Sequence, residues 1–499
     1  MLRVLRRIEV GPTRVEPRRI VAPYRVFVND RIEETSLIYR FEEAVFDPRQ
    51  VLAANLASMM AAQVALNYGL FAEEIVFHGV YDRLDRAFLR DMAENTAREI
   101  TVIKFLQPNP FLRGPAAALP AIRRERYCHA RLRFVDSGTG HGSLTADAAP
   151  WSRDATHHAV LSSGGKESLL TLGVLREIGK TCYPIFVNES GRHWLTALNA
   201  HRHLAATQAG TTRVWTNSDR VFAWFLRHLP FVRQDFANVR SDEYPIRLWT
   251  VAVFLFGALP VMHRHGVGRL LIGDEFDTSR RARHLGIAHY DGLYDQSRYF
   301  DVALTRYFER KGWGILQFSL ARWLSELLVQ KTLAARYPDL FRHQVSCHAA
   351  HIRDGRVRPC GRCEKCRRVV SMLVSLGADP LACGYTEAQV RSCLQRVAKA
   401  GVHQEAPAAE HLAFLLREQG LLDADAVGLP PPRSRPEVLN LRFDPDKSPL
   451  TTIPEDLRKP VLEILLRHAD GAVRNVRGRW LGFDPLAENE VHRNALEVS

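Results

Sequence analysis

The sequence predicts an α/β protein built on a doubly wound parallel sheet, with an α+β segment before it and a helical, cysteine-rich segment after it. Three observations carry that prediction. Strand-like and helix-like runs mix over residues 1–150, a strand, loop, helix, strand order begins at His158, and four cysteines fall within twenty residues from Cys347.

At 499 residues the chain is too long for one ordinary core. The expected division is an α+β domain over 1–150, a nucleotide-binding α/β domain over 151–300 and a helical metal-binding subdomain over 301–385. A helical region, a proline-rich linker and a tail make up 386–499. Lys and Arg outnumber Asp and Glu by 68 to 55, a net charge of +13. That excess fits RNA, nucleotides or another polyanion, and equally a solvated basic surface, because the arginines are scattered as in "EPRRI" and "SRRARH". The basic N-terminus has no apolar signal-type core, and no run of about 18 apolar residues stands out, "LWTVAVFLFGALPVM" at 248–262 coming closest. A cytoplasmic location without a membrane partner is therefore expected. Eight cysteines in so long a chain do not make a disulfide scaffold.

In the first segment "YRVFVND", "SLIYRFEEAVF" and "EIVFHGV" read as strands, and "VLAANLASMMAAQVALNYGL" and "LDRAFLRDMAENTAREI" as helices. The polar, glycine-rich "VDSGTGHGSLTADAAPWSRDATHH" marks a boundary. Then "HAVLSS" reads as a strand, "ESLLTLGVLREIG" as a helix closed by Gly179, and "TCYPIFVNES", "TRVWTN" and "RLLIG" as further strands. Beyond residue 300 the chain reads as helical through "FSLARWLSELLVQKTLAARY", and "GLPPPRSRPE" at 428–437 as a linker into a poorly patterned tail.

Between the first strand and helix of that alternation lies "SSGGKES". A strand that ends in Ser163, Gly164 and Gly165 and turns into a helix offers backbone N–H groups and a helix N-terminus to an anion such as phosphate. Ser163 and Ser168 add hydroxyls, Lys166 a positive charge and Glu167 a carboxylate. A Walker A loop would need Gly at 160 and Ser or Thr at 167, where the chain has Val160 and Glu167.

Asp274, Glu275 and Asp277 follow "RLLIG" at the expected carboxyl end of a strand, where such sheets bind ligands. They read as Mg²⁺ ligands or a base, or as a solvated acidic turn. "HYDGLYDQSRYFD", with Tyr290, Asp291, Gly292, Tyr294, Asp295, Arg298 and Tyr299, reads as a substrate-facing loop or as a packed turn. Cys347, Cys360, Cys363 and Cys366 form a C-x12-C-x2-C-x2-C array whose short spacings let thiolates converge on one tetrahedral ion. Structural Zn²⁺ fits best, with an iron–sulfur cluster as the alternative. His348 and His351 beside Cys347 are further candidates for proton transfer or metal contact.

Read as Ser163, Gly164, Gly165, Lys166, Glu167 and Ser168, the loop resembles the SGGxDS pyrophosphate loop of the ATP pyrophosphatase superfamily, with Glu167 where that family usually carries Asp. The loop and the cysteine array together are similar to those of 7-cyano-7-deazaguanine synthases. The order of "SSGGKES", "ARWLSELLVQK" and "SCHAAH…PCGRCEKC", over roughly residues 35 to 380, more closely resembles the UDP-N-acetylmuramoyl-L-alanyl-L-glutamate epimerases.

That resemblance implies an adenine-nucleotide α-hydrolase-like fold and an enzyme that uses Mg²⁺ and ATP to adenylate a carboxylate with release of pyrophosphate. In the epimerase family the acceptor is the terminal L-glutamate of UDP-MurNAc-L-Ala-L-Glu, a nucleotide-sugar peptide of cell-wall synthesis, whose Cα is then inverted. It implies pyrophosphate at Ser163, Gly164, Gly165 and Ser168, with Lys166 as a charge partner. It further implies adenine at the backbone of Phe186 to Asn188, and Arg247 near the phosphates. The alternative is an enzyme that modifies nucleosides or RNA. A non-enzymatic nucleotide-binding module would tolerate Glu167 but leaves the retained glycines, Lys166 and Ser168 unexplained.

Overall fold

A computed structural model describes residues 2–136, 151, 153–189, 191–239, 244–422 and 428–488. The expected boundary stretch at 135–158 lies largely outside these residues. Along the chain, strands β1 (Leu5–Val10), β2 (Arg14–Glu16), β3 (Arg19–Val28) and β4 (Arg31–Phe41) precede helix α1 (Val51–Ala65). Strand β5 (Ala72–Gly79), α2 (Arg83–Ile100) and β6 (Arg131–Asp136) complete the first segment. Then follow β7 (Asp154–Leu161), α3 (Lys166–Glu177), β8 (Thr181–Asn188), α4 (Arg192–Thr207), β9 (Thr212–Thr216), α5 (Ser218–Arg227), α6 (Val251–Arg264) and β10 (Val267–Ile272). A hairpin of β11 (Ala282–His284) and β12 (Ile287–His289), α7 (Arg298–Arg310) and β13 (Leu316–Phe318) lead to α8 (Glu326–Arg336) and the short α9 (Pro338–Phe341). The last third carries a hairpin of β14 (His351–Arg353) and β15 (Arg356–Arg358), then α10 (Glu364–Ser375), α11 (Glu387–Ala400) and α12 (Ala406–Glu418). It ends with β16 (Leu441–Phe443), α13 (Glu455–Leu466), β17 (Ala472–Val476) and β18 (Arg479–Gly482).

One mixed, mostly parallel sheet of eleven strands runs through the first two segments and takes its edge strand β13 from the third, in the order β13-β10-β7-β8-β9-β4-β3-β1-β5-β6, with β2 on β3. The segments expected as separate domains over 1–150 and 151–300 share it through the antiparallel β4/β9 pair. From β13 to β9 every pairing is parallel. Successive residues of the inner strands go to opposite faces, as strand geometry requires. Ala159, Ile185, Val187, Leu270 and Ile272 join the core with α1 and α6. Val160, Phe186 and Leu271 join the core with α3, α4 and α8.

Two sequence expectations need correcting. The apolar stretch that best fits a membrane span is Val51–Tyr68, not 248–262; its mean hydropathy is 1.2, but 89% of it is buried within the protein, packed on α6. The C-terminal part is not patternless: β16, β17 and β18 form a small sheet, and with α13 they add Leu441, Phe443, Leu462 and Leu465 to the second core.

Candidate functional site

A cleft of about 620 Å³ opens at the carboxyl ends of β7, β8 and β10, whose terminal residues Leu161, Asn188 and Ile272 all line it. Of the residues singled out in the sequence, Ser163, Glu167, Ser168, Asn188, Arg247, Asp274 and Glu275 share this wall. Gly164, Gly165, Lys166 and Asp277 are not among its lining residues.

The loop after β7 is built from local constraints. Gly164 has φ +74°, and a Cβ there would lie 2.9 Å from the Ala197 Cα of α4, so only glycine combines the left-handed turn with this approach. Its N–H donates to Ser162 Oγ (3.2 Å), the Ser162 and Ser168 hydroxyls lie 3.0 Å apart, and Ser168 Oγ donates to the Gly165 carbonyl (3.1 Å). Helix α3 then starts at Gly165 with no side-chain cap, unlike α2, capped by Asp82, and α8, capped by Ser325. Its first-turn amides and the positive end of its dipole are therefore left for an anion. Gly273 completes the arrangement. A Cβ there would sit 2.5 Å from Glu167 Cβ and 2.8 Å from Ser168 N, so the end of β10 touches the first turn of α3 only because residue 273 has no side chain.

Lys166 pairs with Glu167 and, at 2.9 Å, with Glu326 in the first turn of α8. Burial works against its charge, but Glu167, Glu326 and Glu275 outweigh that and hold the ammonium above its ordinary pKa. Glu326 is itself pushed up by burial, yet Lys166 and Arg368 (3.5 Å) bring its carboxyl down to about 2. Glu275, half-buried on the cleft wall, moves the other way. Burial first and then the neighbouring Glu167 raise its pKa to about 7, against the pull of Lys166.

Asp274 is buried, and burial pushes its carboxyl well above the usual range against the opposing charge of Arg322. Arg322, fully buried, reaches Asp274 (3.5 Å), Asp301 (2.7 Å), Thr278 Oγ1 (2.7 Å) and the Gln296 carbonyl (2.8 Å), which ties the acidic loop to α7. Asp277 points instead to the C-terminal unit, paired with Arg442 at 2.7 Å, and Arg442 also holds Glu405 at 3.1 Å. Of the three acidic candidates, the structure thus brings two to the cleft.

Asn188 Oδ1 accepts from Arg213 Nε (2.8 Å). Arg247 is buried and paired with Glu189 (3.0 Å), its guanidinium stacked 3.7 Å from the centroid of Tyr244. Lys104, from the π-helical end of α2, also lines the cleft. The loop 289–299 is packed and cleft-facing at once. Glu99 accepts from the N–H groups of Tyr290 (2.9 Å) and Gly292 (3.0 Å), and Asp295 caps the start of α6 at Thr250 and Val251 (both 2.8 Å). Gly292, Leu293, Asp295 and Gln296 meanwhile line the cleft.

The ligating atoms of Cys347, Cys360, Cys363 and Cys366 all lie within 4.8 Å of one another. The S···S separations Cys360–Cys366 (3.8 Å), Cys363–Cys347 (3.9 Å) and Cys363–Cys366 (3.5 Å) bracket the ~3.8 Å that tetrahedral geometry demands at a Zn–S distance of ~2.3 Å. The Cys347 sulfur also accepts from the N–H groups of Ala349 (3.3 Å) and Cys360 (3.2 Å). This group is compatible with a structural metal ion such as zinc. His351 lies exposed on β14, and the cleft lining includes neither it nor His348. Cys363 and Cys366 of this group sit at the start of α10, whose Lys365 lines the cleft and whose Arg368 holds Glu326.

Sequence reasoning missed Gly273, Arg322, Glu189, Glu326 and Lys104. Gly273, Arg322, Glu189 and Glu326 lay within stretches read as strand or helix, but their partners are distant in sequence, and a lone arginine, glutamate or glycine carries no local signal. No protein-family model matches the chain, and no curated protein matches it.

Proposed function

We propose that the protein is an ATP-dependent enzyme of the pyrophosphate-loop type that activates a carboxylate by adenylation. The observation that carries this reading is the convergence, in one cleft, of the uncapped start of α3, the Ser163 and Ser168 hydroxyls, and the Asp274–Glu275 carboxylates. The strand order supports it. From β7 the chain builds outward through β8 and β9 on one side and through β10 and β13 on the other, and ligands of doubly wound sheets bind where the order reverses.

In this reading an oxygen of the acceptor carboxylate attacks the α-phosphorus of ATP. The bond from that phosphorus to the bridging oxygen breaks, and its electron pair leaves with pyrophosphate. The amides at the start of α3 and the hydroxyls of Ser163 and Ser168 receive the pyrophosphate, with Lys104 on the cleft wall supplying positive field. Glu167 and Asp274, hard oxygen donors at the start of α3 and just past the end of β10, would hold Mg²⁺, which would neutralise phosphate charge when bound. The zinc-type centre has a positioning role through α10.

The order of motifs favours the terminal L-glutamate of UDP-MurNAc-L-Ala-L-Glu as acceptor. Once adenylated, the acid can delocalise charge from Cα, so a proton leaves one face and is regained on the other, and water then cleaves the acyl adenylate to the free acid and AMP. Glu275, titrating near neutrality, is suited to that proton transfer. Incubation with this substrate and Mg²⁺-ATP in D2O tests the acceptor: D-glutamate with deuterium at Cα is expected, whereas unchanged, protiated L-glutamate alongside AMP would remove the epimerase and keep the adenylation.

A further inference from the structure

Beside the cleft lies a second chamber of about 250 Å³. Helix α5 contributes Phe222, Ala223 and Leu226 and, as the one carboxylate of the wall, Asp219, and Phe111, Phe236 and Ile246 close it. The wall is pinned by the Leu112–Val232 bridge and by Asn109, whose amide donates to the Pro245 carbonyl (2.9 Å). Tyr244 and Arg247 line both the chamber and the cleft, so the two cavities meet at that pair.

Arg247 gives the junction a chemical character. Its two terminal nitrogens are taken up by Glu189, at 3.0 and 3.4 Å, while its buried Nε has no hydrogen-bond partner. Only 7% of the residue is exposed. A buried donor left open beside a cavity calls for an oxygen acceptor that the protein itself does not supply. Because Glu189 already balances the charge, a carbonyl or one carboxylate oxygen suffices.

We infer that this chamber is an acceptor subsite. It takes an aromatic or branched aliphatic group carried close to the oxygen that Arg247 Nε binds. Cavities of about 150 Å³ with apolar walls accommodate benzene, so this chamber has room for a substituted phenyl or bicyclic group. The inference rests on the adenylation reading for the fate of the acid, but not on the muramoyl acceptor.

Calorimetry on the full chain, with 3-phenylpropionate and propionate as probes and Mg²⁺-ATP titrated separately, tests this. The phenyl acid should bind at least about tenfold tighter, since even one methylene in an apolar pocket is worth about that factor. The preference should vanish in Ala223→Trp, and shrink in the milder Ala223→Met, while Mg²⁺-ATP affinity stays unchanged in both. Equal affinities for the two acids, or a preference that survives both variants, would overturn the subsite. Failure to bind Mg²⁺-ATP with the phenyl preference intact would instead overturn the adenylation reading and leave the subsite standing.

Discussion

At Gly273 the site depends on an absent side chain. A methyl group there would press on the backbone of Glu167 and Ser168, neither of which is the end of a flexible chain. Gly273→Ala should therefore displace the first turn of α3 and weaken Mg²⁺-ATP binding by at least about tenfold, a loss of roughly 1.4 kcal/mol measurable by calorimetry. Glu275 supplies a test through pH. Its folded pKa of about 7 lies above the ordinary glutamate value of 4.5, so the folded state holds the proton more tightly than the unfolded chain. Stability from this group is complete below about pH 4.5 and is lost as the pH rises through 7. Thermal melts of Glu275→Gln should accordingly fall less between pH 5 and 8 than those of the natural protein; an equal slope would assign the raised pKa elsewhere. Ser163, Gly164, Gly165 and Ser168 were legible in the sequence because a strand, a glycine turn and a helix start are contiguous. Arg322 was not, because its partners Asp274 and Asp301 lie 48 and 21 residues away.

Among the elements, α10 links the cysteine centre to the cleft. Its first turn carries Cys366 and Lys365, and Arg368 reaches Glu326, which holds Lys166. Elemental analysis of the purified chain should find about one equivalent of zinc, and a chelator or Cys363→Ser should remove it. Either treatment should also lower Tm by roughly 5–10 °C and weaken nucleotide binding along with it. Metal loss without any change in the cleft would mean that α10 holds its place unaided. The cysteines were readable from their spacing alone. Strand β13 and the C-terminal sheet were not, since segments of three to five residues are too short to show a period of two. The loop 289–299 showed its tyrosines and aspartates, but Glu99, which anchors it, belongs to another helix.

Across the whole molecule, the β4/β9 pair merges the first segment into the same sheet as the cleft, and Lys104 reaches the cleft from that segment. The strand-and-helix alternation was visible from His158 onward. The fusion was not, because a pairing such as Arg40 with Trp215, 175 residues apart, leaves no mark in local sequence. Arg442 ties the C-terminal unit to the acidic loop through Asp277, and it is nearly inaccessible. Arg442→Met would leave the half-buried Asp277 and Glu405 without their cation. It should cost about 1.5–3 kcal/mol in denaturant unfolding. A loss within about 0.5 kcal/mol, the range of ordinary surface changes, would show that the C-terminal unit is not braced there.

The claim that unites these scales is that the cleft splits ATP between its α- and β-phosphates. ³¹P NMR of the purified chain with Mg²⁺-ATP and an acceptor acid tests it most directly. AMP and pyrophosphate appearing in equal amounts, and depending on the acceptor, is the predicted result; ADP with inorganic phosphate, or ATP left intact with every acid offered, would contradict it.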